Sequence, residues 1–113
     1  MHELSLVTGI VGILEESAAR HGVRRITMVR LRVGELTAAL PDQLRFCFQV
    51  VSDRPLLVGA RLEIEQVPAM ARCRRCEYEF PIGQGSLTCP TCGTPGARFV
   101  TGTELVVDSY EGE

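Results

Sequence analysis

Four cysteines in two matched pairs, Cys73-Arg-Arg-Cys76 and Cys89-Pro-Thr-Cys92, form the pattern C-x2-C-x12-C-x2-C. A two-residue gap lets both thiolates of one knuckle curl toward a single point. A second knuckle facing the first then completes a tetrahedron of soft sulfur ligands suited to Zn(II). Four thiolates fill the coordination sphere, so Cys73, Cys76, Cys89 and Cys92 predict a structural, closed site. Disulfides or a redox dithiol are the alternatives; two matched pairs without a βαβ context favour the metal. Pro90 and Gly93 supply turn chemistry at the second pair, and Gly83 and Gly85 can reverse the chain between the pairs. Cys47 stands apart in Phe46-Cys47-Phe48, on an apolar helical pattern, and reads as a small buried hydrophobe.

The amino terminus, Met1-His2-Glu3, carries a second chemistry. A histidine at position two lets the free α-amine, the following backbone nitrogens and the imidazole approach one ion through fused chelate rings. That array is square-planar, a geometry that suits Ni(II) or Cu(II) and is disliked by Zn(II). Met1 is expected to persist, because removal of methionine generally needs a small second residue. Taken alone, these three residues also read as an ordinary solvated terminus, with Glu3 a favourable charge at a helix start. His21 reads as a dipole-stabilising residue near the end of the same helix.

The elements that must position these groups follow from periodicity. Leu4, Val7, Val11, Leu14 and Ala18 recur at spacings of three and four and predict one apolar face of a first helix, which Gly22 stops. Gly9 and Gly12 weaken that helix intrinsically and imply packing against a sheet or a close backbone approach. Residues 26–33 alternate, with Val29, Leu31 and Val33 on one face and Arg30 and Arg32 on a wet one. Pro41 opens a second helix whose buried stripe is Leu44, Cys47, Phe48 and Val51, before Pro55 forbids continuation. Residues 61–67 and 104–110 alternate again, the latter with Leu105 and Val107 on one face.

The order is helix, strand, helix, strand, cysteine module, strand. It predicts an α+β fold: two helices on a small mixed or antiparallel three-stranded sheet, with an inserted zinc-ribbon module. The expected division is an α+β domain from residues 1–68 and 99–113, which carries the amino terminus, and a four-cysteine domain over 69–98. The module's main apolar residues are only Tyr78, Phe80, Ile82 and Leu87, so metal must supply much of its folding free energy. The net charge of −2 lacks the basic excess that drives phosphate binding, although Arg72, Arg74 and Arg75 form a local patch. No signal peptide or bilayer-spanning run is legible, which predicts a cytoplasmic chain whose reduced thiols ligate metal. Glu35 reads as a solvated residue in a turn.

Several of these residues together resemble one family along the whole chain. Met1-His2-Glu3, Val33-Gly34-Glu35-Leu36, Pro41-Asp42-Gln43-Leu44 with Phe46, Gly59-Ala60-Arg61-Leu62, both knuckles and Gly102-x-Glu104-Leu105 are similar to the HypA/HybF hydrogenase nickel-incorporation proteins. The resemblance implies a nickel metallochaperone for maturing [NiFe]-hydrogenase, not an enzyme. Its nickel would be cargo held by Met1, His2 and Glu3, with His2 indispensable, and Zn(II) would be held structurally by the four knuckle cysteines. It also implies a nickel-handling GTPase and the hydrogenase large subunit as partners, leaves a homodimer open, and implies neither nucleic acid nor membrane. Asp53-Arg54-Pro55 and Cys47 depart from the family's usual residues at positions that touch no ligand. The competing reading is a zinc-ribbon module that binds protein or nucleic acid, with an irrelevant terminus.

Overall fold

The structure is a computed structural model, which describes residues 2–82 and 85–113, His2 by its backbone alone. The element order is α1 (His2–His21), β1 (Ile26–Gly34), a 3-10 turn (Glu35–Thr37), α2 (Pro41–Val51), β2 (Arg61–Val67), β3 (Met70–Arg72), β4 (Glu79–Pro81), β5 (Arg98–Thr101) and β6 (Leu105–Gly112). These form two three-stranded sheets, with strand orders β2-β1-β6 and β4-β3-β5. The chain divides into two compact units. One comprises Met1–Arg32, Ala39–Glu65 and Leu105–Glu113; the other comprises Val33–Ala38 and Gln66–Glu104.

In the first unit, α1 buries Val7, Val11, Leu14 and Ala18, the face expected from their spacing. Gly22 ends the helix at φ 69°, and the Val23 N–H reaches back to the Ala18 carbonyl at 2.9 Å. This six-to-one bond closes a Schellman cap, which a residue with a Cβ would strain. At His21 the ring Nδ1 lies 2.9 Å from the Ser17 carbonyl, to which it can only donate. Of the two readings for Gly9 and Gly12, the close backbone approach is not seen: both are exposed, and a Cβ at either would meet nothing within 4 Å. Among the described residues their side of α1 meets no neighbour, and the helix is held by its opposite, buried face.

Helix α2 starts with Pro41 in its first turn, where a missing N–H costs nothing, and buries Leu44, Cys47 and Phe48. It packs against α1. Beneath them β1 buries Val29 and Leu31. Ile26 and Met28 are also buried, so the face carrying Arg30 becomes wet only farther along the strand. Ion pairs Arg30–Glu63 at 2.9 Å and Arg32–Glu65 at 3.6 Å advance in the same direction along β1 and β2, as in a parallel pair joined through a helix. On the other side of β1, Arg25 and Glu113 exchange backbone bonds at 3.0 and 2.9 Å, and the Thr27 hydroxyl bonds the Glu111 carbonyl, which sets β6 antiparallel. The sheet is therefore mixed.

In the second unit, β3 is central. It pairs antiparallel with β4 (Ala71 opposite Phe80, Arg72 opposite Glu79) and with β5 (Ala71 opposite Phe99, Arg72 opposite Arg98), with a bulge between Met70 and Ala71. Its core is small: Ala71, Cys73, Phe80, Cys89 and Ala97, with Ile82 and Leu87 packed against them. Two of those five residues are metal-ligand candidates, so hydrophobic burial contributes little without an ion. Among the described residues, no helix is long and apolar enough to cross a membrane.

Candidate metal centre

The two knuckles are built alike. In the first, the Cys73 N–H donates to the Tyr78 carbonyl at 2.9 Å and the Glu77 N–H returns to the Cys73 carbonyl at 3.2 Å. In the second, Cys89 N–H bonds the Thr94 carbonyl at 3.0 Å and Gly93 N–H the Cys89 carbonyl at 2.9 Å. Glu77 and Gly93 occupy the same place and both have positive φ, 62° and 77°. The local geometry thus requires a left-handed residue after each Cys-x-x-Cys. Glycine fills one position without strain and glutamate the other with it.

These turns aim backbone N–H groups at sulfur. Arg75 and Cys76 N–H groups point at the Cys73 Sγ over 3.3 and 3.4 Å. Across the knuckles, Cys73 and Cys92 Sγ are 3.5 Å apart and Cys76 and Cys89 Sγ 3.6 Å apart, and all four sulfurs lie within 4.8 Å of one another. A tetrahedron with Zn–S bonds of about 2.3 Å has edges of about 3.8 Å, so this cage has the size the ion needs. Cys73 and Cys89 are buried while Cys76 and Cys92 are exposed, and none of the four is in a disulfide.

The sulfur electrostatics call for a cation. Hydrogen bonds from the Thr94 hydroxyl and backbone bring the Cys92 thiol down to about 6. Backbone N–H bonds from Cys76 and Arg75 lower Cys73 as well. At Cys76 a bond from the Tyr78 backbone lowers the thiol, but lost hydration and the neighbouring sulfurs of Cys89, Cys73 and Cys92 outweigh it and push it up to about 12. Four thiolates this close repel one another; a divalent ion at their centre removes the conflict. With every direction occupied by sulfur, such an ion keeps no open position for a substrate.

Of the residues expected to hold nickel, Met1 and the His2 side chain lie outside the described residues. Glu3 is described, and its carboxylate accepts the Leu40 N–H at 3.3 Å. Cys47 is buried at 7% exposure on α2, as its apolar setting implied. Glu35 is an exposed residue in the turn after β1, as expected, and its carboxylate also accepts the Ala69 N–H at 3.2 Å. Beside it, Leu36 N–H bonds the Gly102 carbonyl at 2.7 Å and Gly34 N–H the Glu104 carbonyl at 2.6 Å. A Cβ on Gly34 would collide with the Gly102 carbonyl, and one on Gly102, at φ 110°, would lie 2.7 Å from the Ala69 Cα. The Val-Gly-Glu-Leu and Gly-x-Glu-Leu segments are therefore two halves of one backbone crossing.

Comparison with known proteins points the same way. The family described as "Hydrogenase/urease nickel incorporation, metallochaperone, hypA" matches residues 1–112. Proteins named hydrogenase maturation factor HypA from Geobacter metallireducens and Moorella thermoacetica are 43% and 37% identical over 113 residues, covering the whole of both chains in each case. The fold is similar to the solution structure of the Ni metallochaperone HypA from Helicobacter pylori, with a TM-score of 0.70 at 22% identity over 97% of this chain and 96% of that one. It is also similar to a second HypA solution structure, with a TM-score of 0.75 at 23% identity over 100% and 97%.

Proposed function

Because the chain belongs to the HypA family of hydrogenase and urease nickel-incorporation metallochaperones, we propose that it binds Ni(II) at Met1, His2 and Glu3 and hands the ion on during [NiFe]-hydrogenase maturation. The donor set would be the Met1 amine, the backbone nitrogens of His2 and Glu3, and the His2 imidazole. Whole-length membership in the family carries this reading, and the nitrogen-rich chemistry of the terminus supports it.

In this reading the two metals have separate places and separate fates. The cysteine cage holds Zn(II) by four sulfurs, which suits a resident ion that stabilises its fold. Nickel has to leave as well as bind, so its affinity should be moderate and its delivery should depend on a docked partner. A nickel-handling GTPase and the hydrogenase large subunit are the proposed partners, met in the cytoplasm, where thiols stay reduced. The roles divide accordingly between the nickel-binding helices and the zinc ribbon, with no reaction catalysed by the chain itself.

Pull-downs of the maturation GTPase and of the large subunit, with and without Ni(II) and nucleotide, test the delivery role. Association with at least one of them is the expected result. Failure to bind either, alongside binding to DNA or RNA that survives physiological salt, would favour the zinc-ribbon module reading instead.

A further inference from the structure

The two knuckles correspond position by position: Cys73 to Cys89, Cys76 to Cys92, Glu77 to Gly93 and Tyr78 to Thr94. The Tyr78 and Thr94 carbonyls accept the Cys73 and Cys89 N–H groups at 2.9 and 3.0 Å. Each of these two residues also turns its own N–H to the second cysteine of its knuckle, Tyr78 to Cys76 and Thr94 to Cys92. The correspondence breaks at their side chains. The Thr94 hydroxyl lies 3.2 Å from the Cys92 Sγ. A metal-bound thiolate carries no proton, so there the hydroxyl is the donor. The Tyr78 ring instead stacks on Phe80, with centroids 6.3 Å apart and planes 17° from parallel. Among the described residues no hydroxyl, amide or cationic side chain donates to the Cys76 sulfur. Cys76 and Cys92 are the exposed pair of ligands, whereas Cys73 and Cys89 are buried.

We propose that Cys76 is the modification site of the zinc-loaded cage, the sulfur at which a soft carbon electrophile attaches first, and that the Thr94 hydroxyl shields Cys92 from the same reaction. The inference rests on the four-sulfur zinc reading and is independent of the nickel one. Burial keeps reagents from Cys73 and Cys89, which leaves the two exposed sulfurs to compete. Each hydrogen bond to a thiolate draws charge from it and lowers its intrinsic nucleophilicity. Cys92 has one donor more than Cys76, so Cys76 keeps more of its charge for attack. In the reaction a lone pair of the Cys76 Sγ forms the S–C bond, and the leaving group departs with the pair that held it; no proton moves and nothing is oxidised. The thiolate becomes a neutral thioether, a poorer ligand for Zn(II). The cage opens at that corner, and β3 to β5 lose the ion that stabilises them.

Treatment of the zinc-loaded full chain, in a Cys47→Ala background, with one equivalent of iodoacetamide tests the proposal, read by peptide mapping while a chromogenic chelator records released zinc. The label should reach Cys76 about fivefold faster than Cys92, and zinc should appear in step with it. Thr94→Val should raise labelling of Cys92 about fivefold, and Thr94→Ser should keep it slow. Tyr78→Thr puts a hydroxyl at the corresponding place in the first knuckle and should slow labelling of Cys76; misfolding cannot mimic a slowing. Zinc content measured before the reagent is added reports on the cage separately, and a chain without zinc would overturn the four-sulfur reading and this inference with it. In chains carrying a full equivalent of zinc, first labelling at any other cysteine, unchanged Cys92 labelling in Thr94→Val, or no slowing in Tyr78→Thr would each overturn this inference alone.

Discussion

The Glu3 carboxylate accepts the backbone N–H of Leu40 at 3.3 Å, and Leu40 is the residue that precedes Pro41 at the start of α2. The first turn of one helix is thereby fixed to the beginning of the other. Leu40 has no side-chain cap of its own to offer α2. Glu3 therefore has structural work besides any nickel ligation.

Substitutions at Glu3 separate these roles. Glu3→Ala removes the acceptor and should cost about 1 kcal/mol of stability in urea unfolding. Glu3→Gln keeps an amide oxygen for Leu40 and should cost less. Nickel affinity should change little in Glu3→Gln, because the backbone nitrogen of residue 3 remains available.

The left-handed positions after the knuckles predict opposite outcomes for two substitutions. Glu77→Gly should stabilise the zinc-loaded second unit, by up to about 1 kcal/mol, since relief of strain is partly offset by a freer unfolded chain. Gly93→Ala should destabilise it by about 1–2 kcal/mol. Thermal melts at fixed free zinc would register both signs.

The Arg30–Glu63 pair gives a pH dependence. The hydrogen bond from Arg30 holds the Glu63 carboxyl below its ordinary value of 4.5. A depressed carboxylate adds stability that is present above the unfolded-state value and disappears as pH falls through the folded one. Native protein should therefore lose its advantage over Glu63→Gln on acidification below about pH 4.5. Both partners are exposed, so the effect should be small and should fade with added salt. Melting temperatures of the two proteins across that pH range are the check.

Much of this was legible in the sequence, for identifiable reasons. The C-x2-C spacing dictates knuckle geometry locally, so the four sulfurs could be grouped before any fold was known. The three-and-four spacing of Val7, Val11, Leu14 and Ala18 and the stop at Gly22 are likewise local signals. Strands β3, β4 and β5 were not legible, because segments of three or four residues are too short to display alternation. The solvated turn at Glu35 was legible but its hydrogen bond was not, because the partner, Ala69, is 34 residues away and presents only a backbone N–H. Gly34 and Gly102 carry a signal that reads as turn chemistry in isolation; their mutual closeness is a tertiary fact.

Removing metal should affect the two units unequally. Chelation, or serine at any one of Cys73, Cys76, Cys89 and Cys92, should melt β3 to β5 while the helices and the β2-β1-β6 sheet persist, because the second core is too small to fold on burial alone. Cys47→Ala should leave metal content unchanged. X-ray absorption on purified protein should give one zinc with four sulfur neighbours; nitrogen in the coordination sphere would contradict the site.

Nickel binding at the terminus is the central claim, and calorimetric titration of zinc-loaded protein with Ni(II) tests it most directly. Native protein should bind one equivalent. His2→Ala should lose that binding, and adding Gly-Ser ahead of Met1 should abolish or greatly weaken it although every native side chain remains. Unchanged affinity in the extended protein would contradict the amine ligand, and unchanged affinity in His2→Ala would contradict the nickel site itself.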